Sequence, residues 1–175
     1  MNTANKLTML RVFLIPVFLV VLYQDFPFHM VFALVIFMLA SITDFVDGYI
    51  ARHYNLVTDF GKFMDPLADK MLVMAALLWF VEVGRFPAWG LLIVIVREFA
   101  VTGLRLIAVE GGRVIAAAWS GKIKTASTMV CICLMLVFVH PMLDKVCMVL
   151  ILATTIYSGV EYFVKNKDVI DWSKV

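Results

Sequence analysis

Six apolar runs, separated by short polar breaks, set the pattern of this chain. They cover about Leu7–Leu22, Met30–Tyr49, Phe63–Val83, Trp89–Val109, Ile123–Val139 and Leu143–Val164. A membrane-crossing helix needs about 20 mostly apolar residues, and each run approaches that length. The breaks are too short for separate domains, so the pattern predicts an all-α, polytopic bundle of six transmembrane helices forming one domain over 1–175. Residues 1–6 read as an interfacial lead-in. Pro16 is expected to kink the first helix. The N-terminal run lacks a small-x-small cleavage site and more apolar runs follow it, so it reads as a retained span.

The polar positions give orientation. With the N-terminus inside, only Arg85 and Lys145 of the 15 Lys and Arg fall on the outer side. Excess Lys and Arg mark the cytoplasmic side, so both termini are expected there. Trp79, Trp89, Tyr23 and Tyr162 stand near run ends and read as interfacial anchors.

Composition agrees. The 175 residues are 63% hydrophobic, with mean hydropathy +0.98, as in polytopic membrane proteins. A net charge of +2, with no basic patch interleaved with aromatics, speaks against nucleic acid as a partner. Cys131, Cys133 and Cys147 lie inside apolar runs, without zinc-ligand spacing, and read as packing residues. His29, His53 and His140 are scattered and read as ordinary positions.

One stretch breaks the apolar rule, from Asp44 to Asp69. Asp44 and Asp47 are three apart and Asp65 and Asp69 four apart, so each pair shares a helix face. Two such helices facing one another would converge four carboxylates. Buried uncompensated at membrane depth, they would cost about 10–14 kcal/mol. A pair of divalent cations offsets that charge, and all-oxygen ligands suit Mg2+ or Mn2+.

Other charges interrupt the fourth and fifth runs. Arg97 and Arg105 are eight residues apart, on roughly one helix face, with Glu98 beside them. Snorkelling toward headgroups explains them, and so does a clamp on phosphate, which Arg meets with a bidentate fork. Lys122 and Lys124 add donors beside Gly121. Arg113, after Gly111 and Gly112, reads as an exposed loop charge. Asn5, Thr8 and Arg11 lie close to one face of the first helix, where Asn5 and Thr8 also suit capping.

The central stretch reads D-x2-D-G-x2-A-R-x8-G-x3-D-x3-D, from Asp44 through Asp47, Gly48, Ala51, Arg52, Gly61 and Asp65 to Asp69. It resembles, without gap or substitution, the signature of the CDP-alcohol phosphotransferase family. The flanking NKLTMLR (5–11) and GKIKT (121–125) narrow the likeness to bacterial members acting on glycerol 3-phosphate. That resemblance implies transfer of a phosphatidyl group from CDP-diacylglycerol to glycerol 3-phosphate, giving phosphatidylglycerophosphate and CMP. It further implies Asp44, Asp47 and Asp65 as metal ligands, with Asp69 as ligand and general base. Asp47, Gly48, Ala51, Arg52 and Gly61 would hold the CDP-lipid, although Gly48 and Ala51 also suit plain helix packing. Thr8, Arg11, Arg97, Arg105, Lys122 and Lys124 would serve the acceptor. The implied setting is a homodimer among membrane lipids, multi-pass in the bacterial plasma membrane, with its site facing the cytoplasm.

Two other readings compete. Another family member would use inositol phosphate or serine. A divalent-metal transporter would place acids near the bilayer midplane, often on related repeats. Here the acids sit at run ends and no repeat is visible.

Overall fold

A computed structural model describes residues 3–53, 59–113, 115, 116 and 118–169; for 3–6, 44–53, 59–63, 65, 66 and 69 it describes the backbone alone. Six α-helices follow one another: α1 Thr3–Tyr23, α2 His29–His53, α3 Asp59–Glu82, α4 Ala88–Glu110, α5 Trp119–Val137 and α6 Pro141–Lys165. A 3-10 turn, Lys167–Val169, follows α6. Among the described residues the fold is all-α, and each apolar run has become one helix.

The helices outreach the runs that predicted them. Thr3 to Lys6 continue α1 directly rather than forming a separate lead-in, and α1 runs on through Pro16. α3 begins well before Pro66, so that proline does not stand in its first turn. The helices are 19–25 residues long, or roughly 28–38 Å at 1.5 Å per residue. That range matches the hydrocarbon core of a bilayer, about 30 Å. Among the described residues, α5 and α6 are long and apolar enough to cross a membrane, and Leu7–Tyr23 and His29–Thr43 are shorter apolar stretches.

The chain forms two compact units. The first comprises residues 1–83 with 136–138. Within it α1 packs on α2 and α3, and α2 on α3. Ile15, Phe18 and Leu22 of α1 are buried at helical spacing, as are Ala33, Phe37 and Ala40 of α2. Phe18 and Phe37 meet with ring centroids 5.8 Å apart. The alanines of α2 offer little bulk, which lets neighbouring backbones approach. The Tyr23 hydroxyl donates to Glu82, tying the end of α1 to the end of α3. Trp79 is 6% exposed and packs on Phe80. It is a core residue, not the expected interfacial anchor, because it stands on the buried face of α3 with Leu72, Ala75 and Ala76. Trp89 and Tyr23 are exposed as expected.

The second unit holds residues 84–135 and 139–175. α4 packs on α6, and the two run parallel: Arg85 meets Asp144 at their starts, and Arg105 meets Tyr162 toward their ends. His140 caps α6, its Nδ1 accepting from the Met142 amide, with Pro141 at the first helical position. α4 stops at Gly111–Gly112, where Gly112 has φ +73° and the Arg113 amide donates back to the Ala108 carbonyl.

Several hydroxyls inside the apolar helices bond to their own backbone. Thr125 and Thr128 donate to the Gly121 and Lys124 carbonyls, and Thr154 to that of Leu150. Such internal satisfaction suits a surrounding that offers no water. The exteriors are apolar: Phe99 is 74% exposed, with Leu92, Val96 and Leu106 beside it on α4. Exposed apolar surface on this scale fits lipid rather than water as the solvent.

Candidate functional site

The first unit carries the aspartates. Asp44, Asp47, Gly48, Ala51 and Arg52 belong to α2, and Gly61, Asp65 and Asp69 to α3. Their helical backbones keep each aspartate pair on one face, and α2 packs against α3. These side chains lie outside the described residues, as do the side chains of Asn5 and His53. The donor set is oxygen-only and concentrated on two adjacent helices. Its chemistry fits a hard divalent cation.

Thr8 and Arg11 fall on one face of α1, as their spacing predicted, and both are fully enclosed. An enclosed guanidinium in an otherwise apolar helix is costly unless its charge is used.

The second unit carries the remaining cations, and the structure sorts them into three settings. Arg97 and Lys124 come together. Glu98 Oε1 accepts from Arg97 Nη1 at 2.9 Å and from Lys124 Nζ at 2.5 Å. All three side chains are nearly buried. Gly159 makes room for Arg97: a Cβ there would come within 3.1 Å of Arg97 Cγ. At Gly121 a Cβ would meet Arg97 Nη2 at 3.7 Å, an ordinary contact. The GKIKT glycine therefore lies beside Arg97, and the motif's second lysine, Lys124, meets Glu98.

Arg105 has a different setting. Its Nε donates to the Tyr162 hydroxyl at 2.7 Å, and its guanidinium lies 5.2 Å from that ring's centroid. The Tyr162 hydroxyl in turn donates to the Ala116 carbonyl at 3.1 Å. Tyr162 is 2% exposed, packed with Val101 and Leu104. It was expected as an interfacial anchor and is instead a buried support for Arg105. Eight residues put Arg105 about 12 Å along α4 from Arg97.

Lys122 stands apart. It is exposed, with Nζ 5.0 Å from the Trp119 ring centroid. Two residues apart on a helix, Lys122 and Lys124 cannot share a face. Arg113 is the exposed loop charge expected, paired with Asp168.

Two residues were missed. Glu98 was visible as an acid in an apolar run, but its tie to Lys124, 26 residues on, was not. Tyr162 was assigned by its place near a run end, which carries no information about which helix face it occupies. The three cysteines are free, with Cys131 and Cys147 buried, as packing residues would be.

A family model described as CDP-alcohol phosphatidyltransferase matches residues 1–157. A Bacillus subtilis (strain 168) protein named CDP-diacylglycerol–glycerol-3-phosphate 3-phosphatidyltransferase is 41% identical, the alignment covering 98% of both chains. A Mycobacterium tuberculosis (strain H37Rv) protein named probable phosphatidylglycerophosphate synthase is 40% identical over 92% of this chain and 79% of its own. A Rickettsia bellii relative with the same name as the Bacillus protein is 45% identical over 59% of this chain and 58% of its own. With that family match and near-complete coverage, on top of the unbroken aspartate signature, the chain belongs to the CDP-alcohol phosphatidyltransferase family.

Proposed function

We propose that this protein transfers the phosphatidyl group of CDP-diacylglycerol to glycerol 3-phosphate, releasing CMP. The observation that carries this reading is the 41% identity across 98% of the Bacillus subtilis chain bearing that activity in its name. The chemistry is in-line. An acceptor hydroxyl oxygen bonds to the lipid-side phosphorus, and the bond from that phosphorus to the CMP oxygen breaks. Such transfer asks for positioning and charge neutralisation more than covalent catalysis.

Asp44, Asp47, Asp65 and Asp69 would hold Mg2+ or Mn2+, as two ions. Bound there, the ions would supply charge stabilisation to the attacking and leaving oxygens. Asp69 takes the proton of the acceptor hydroxyl. Gly48, Ala51 and Gly61 give the nucleotide close approach to backbone, and Arg52 balances its diphosphate. Arg97, Lys124 and Arg105 serve the acceptor's phosphate, as Thr8 and Arg11 do by family likeness; Lys122, turned to another face of α5, stands outside this set. A phosphorylated acceptor suits Arg97 and Lys124, two nearly buried cations meeting at one point, and this favours glycerol 3-phosphate over serine.

The same reading places six spans in the plasma membrane, both termini and the site cytoplasmic, in a homodimer. The Lys and Arg distribution and the apolar helix exteriors support the spans; the dimer rests on family likeness.

Purified protein given CDP-diacylglycerol, Mg2+ and one acceptor at a time tests the reaction. CMP release with glycerol 3-phosphate is expected; release only with inositol phosphate or serine overturns the acceptor. Asp44→Asn, Asp47→Asn or Asp65→Asn should abolish release while the protein still inserts. Wild-type turnover in any of them, at ordinary Mg2+, counts against the ligand set. For orientation, the native cysteines are removed first. Asn55→Cys should then react with an impermeant thiol reagent only from the cytoplasmic face, and Lys145→Cys only from outside. The reverse pattern sinks the orientation.

A further inference from the structure

The buried trio of Arg97, Glu98 and Lys124 contains two cations and one anion. Their side chains are 12%, 13% and 6% exposed, so water screens the excess positive charge poorly. Arg97 Nε adds a second imbalance: it is buried, with no hydrogen-bond acceptor among the described residues. A buried donor left unmet beside a surplus positive charge is costly, and an anion relieves both at once. Glu98 does something the cations cannot do for themselves. Arg97 on α4 and Lys124 on α5 repel one another, and each has a long stem that would carry its head elsewhere. Both bond to the same Glu98 oxygen, which holds them side by side. Gly159 leaves space for the Arg97 stem, where a Cβ would come within 3.1 Å of Cγ.

We infer that Glu98 is the positioning residue of the acceptor-phosphate site. Its Oε1 sets the spacing of Arg97 and Lys124 before a phosphate dianion arrives, and that dianion supplies the missing negative charge and the acceptor for Arg97 Nε. This rests on the proposed reading in which Arg97 and Lys124 hold the acceptor's phosphate. A carboxylate beside a phosphate site could equally act as a competitor for the same cations. The two roles predict opposite signs when its charge is removed.

The test uses the full-length enzyme, with KM measured separately for glycerol 3-phosphate and CDP-diacylglycerol. Glu98→Ala removes both the charge and the shared oxygen. It should raise the KM for glycerol 3-phosphate about tenfold. Glu98→Gln keeps an oxygen but makes neutral bonds about half as strong, so its KM should rise only a few-fold. The KM for CDP-diacylglycerol should stay within about twofold in both. A fall in the glycerol 3-phosphate KM of Glu98→Gln overturns the inference, because Glu98 would then be a competitor. Equal losses for both substrates also overturn it, because Glu98 would then only support the fold. Arg97→Ala and Lys124→Met are measured alongside. If they leave the glycerol 3-phosphate KM unchanged, the acceptor reading itself fails. If they raise it while Glu98→Gln does not, the positioning role alone fails. Should neither Glu98→Ala nor Glu98→Gln accumulate in membranes, Glu98→Asp decides. Its shorter reach must raise the glycerol 3-phosphate KM a few-fold, and an unchanged value overturns the inference.

Discussion

Two buried charge clusters in the second unit differ in one respect. Arg85 and Asp144 form a balanced pair: Nε donates to Oδ2 at 2.9 Å and Nη2 to Oδ1 at 2.7 Å. Fork meets fork, and the charge sums to zero. Asp144 also stands in the first turn of α6, where the helix dipole favours an acid. Arg97, Glu98 and Lys124 are buried to a similar degree but sum to one positive charge. Arg105 differs from both: it is exposed, and its described partners, the Tyr162 hydroxyl and ring, are neutral. Burial alone therefore does not separate a structural ion pair from a binding site. Charge balance is what differs: the pair sums to zero, whereas the open cluster keeps a net positive charge that an anion would offset.

Breaking the balanced pair should give the largest effect on stability. Asp144→Leu leaves Arg85 buried without its carboxylate, which destabilises by about 3–5 kcal/mol. Thermal unfolding in detergent reads this, and the folded fraction should keep both KM values. Arg85→Met with Asp144→Leu should recover most of the loss, since apolar replacement of a whole buried pair is often neutral. If the double variant stays as unstable as the single one, the pair is more than a balanced tie.

Removing Arg105, whose described partners are neutral, should instead show in substrate binding. Arg105→Ala removes a donor to a charged group, worth about 1.5–3 kcal/mol, or about 10- to 150-fold in the KM for glycerol 3-phosphate. Binding of CDP-diacylglycerol should change little. The opposite split would place Arg105 on the CDP-lipid. Tyr162→Phe tests the support beneath it. The ring stays over the guanidinium and one hydroxyl is lost, so the effect should be about 0.5–1.5 kcal/mol. That is roughly 2- to 13-fold, on the same KM. An effect larger than that of Arg105→Ala would mean Tyr162 matters chiefly for holding Ala116 and the loop.

The helices were legible because each needs a long apolar run, and the chain supplies six. The family was legible because eight spaced residues from Asp44 to Asp69 match without a gap. What the runs could not show is rotation about each helix axis. Trp79 and Tyr162 stand where interfacial aromatics stand, yet both turn inward: Trp79 packs on Phe80, and Tyr162 packs with Val101 and Leu104. Pairings across helices were equally hidden. Arg85 and Asp144 are 59 residues apart, and neither breaks an apolar run in a way that names its partner. Glu98 and Lys124 carried a weak signal: an acid inside a run is costly, and the nearest runs had to provide its cation. Lys122 and Lys124 could have been separated from sequence alone, because two residues on a helix turn about 200°.

The smallest effect is expected where a charge pair is balanced but exposed. Arg113 bonds to Asp168, joining the loop after α4 to the turn after α6, with both side chains more than half exposed. The Arg113 guanidinium, with backbone help, holds the Asp168 carboxyl below the usual carboxylate range. A lowered folded value means the contribution is complete above the unfolded value near 3.9 and fades as pH falls through the folded one. At neutral pH the pair is fully charged, yet solvent and salt screen it. Asp168→Asn at pH 7 should therefore leave the unfolding temperature and both KM values unchanged. Its effect should be local, as modestly faster tryptic cleavage after Arg113, and raising salt should produce the same change in the wild type. Acidifying the wild type below about pH 4 should speed hydrogen exchange over residues 111–116, after correction for intrinsic rates, while Asp168→Asn shows no such step. If Asp168→Asn lowers stability as far as Asp144→Leu does, balance without burial is sufficient, and the contrast between the two buried clusters loses its basis.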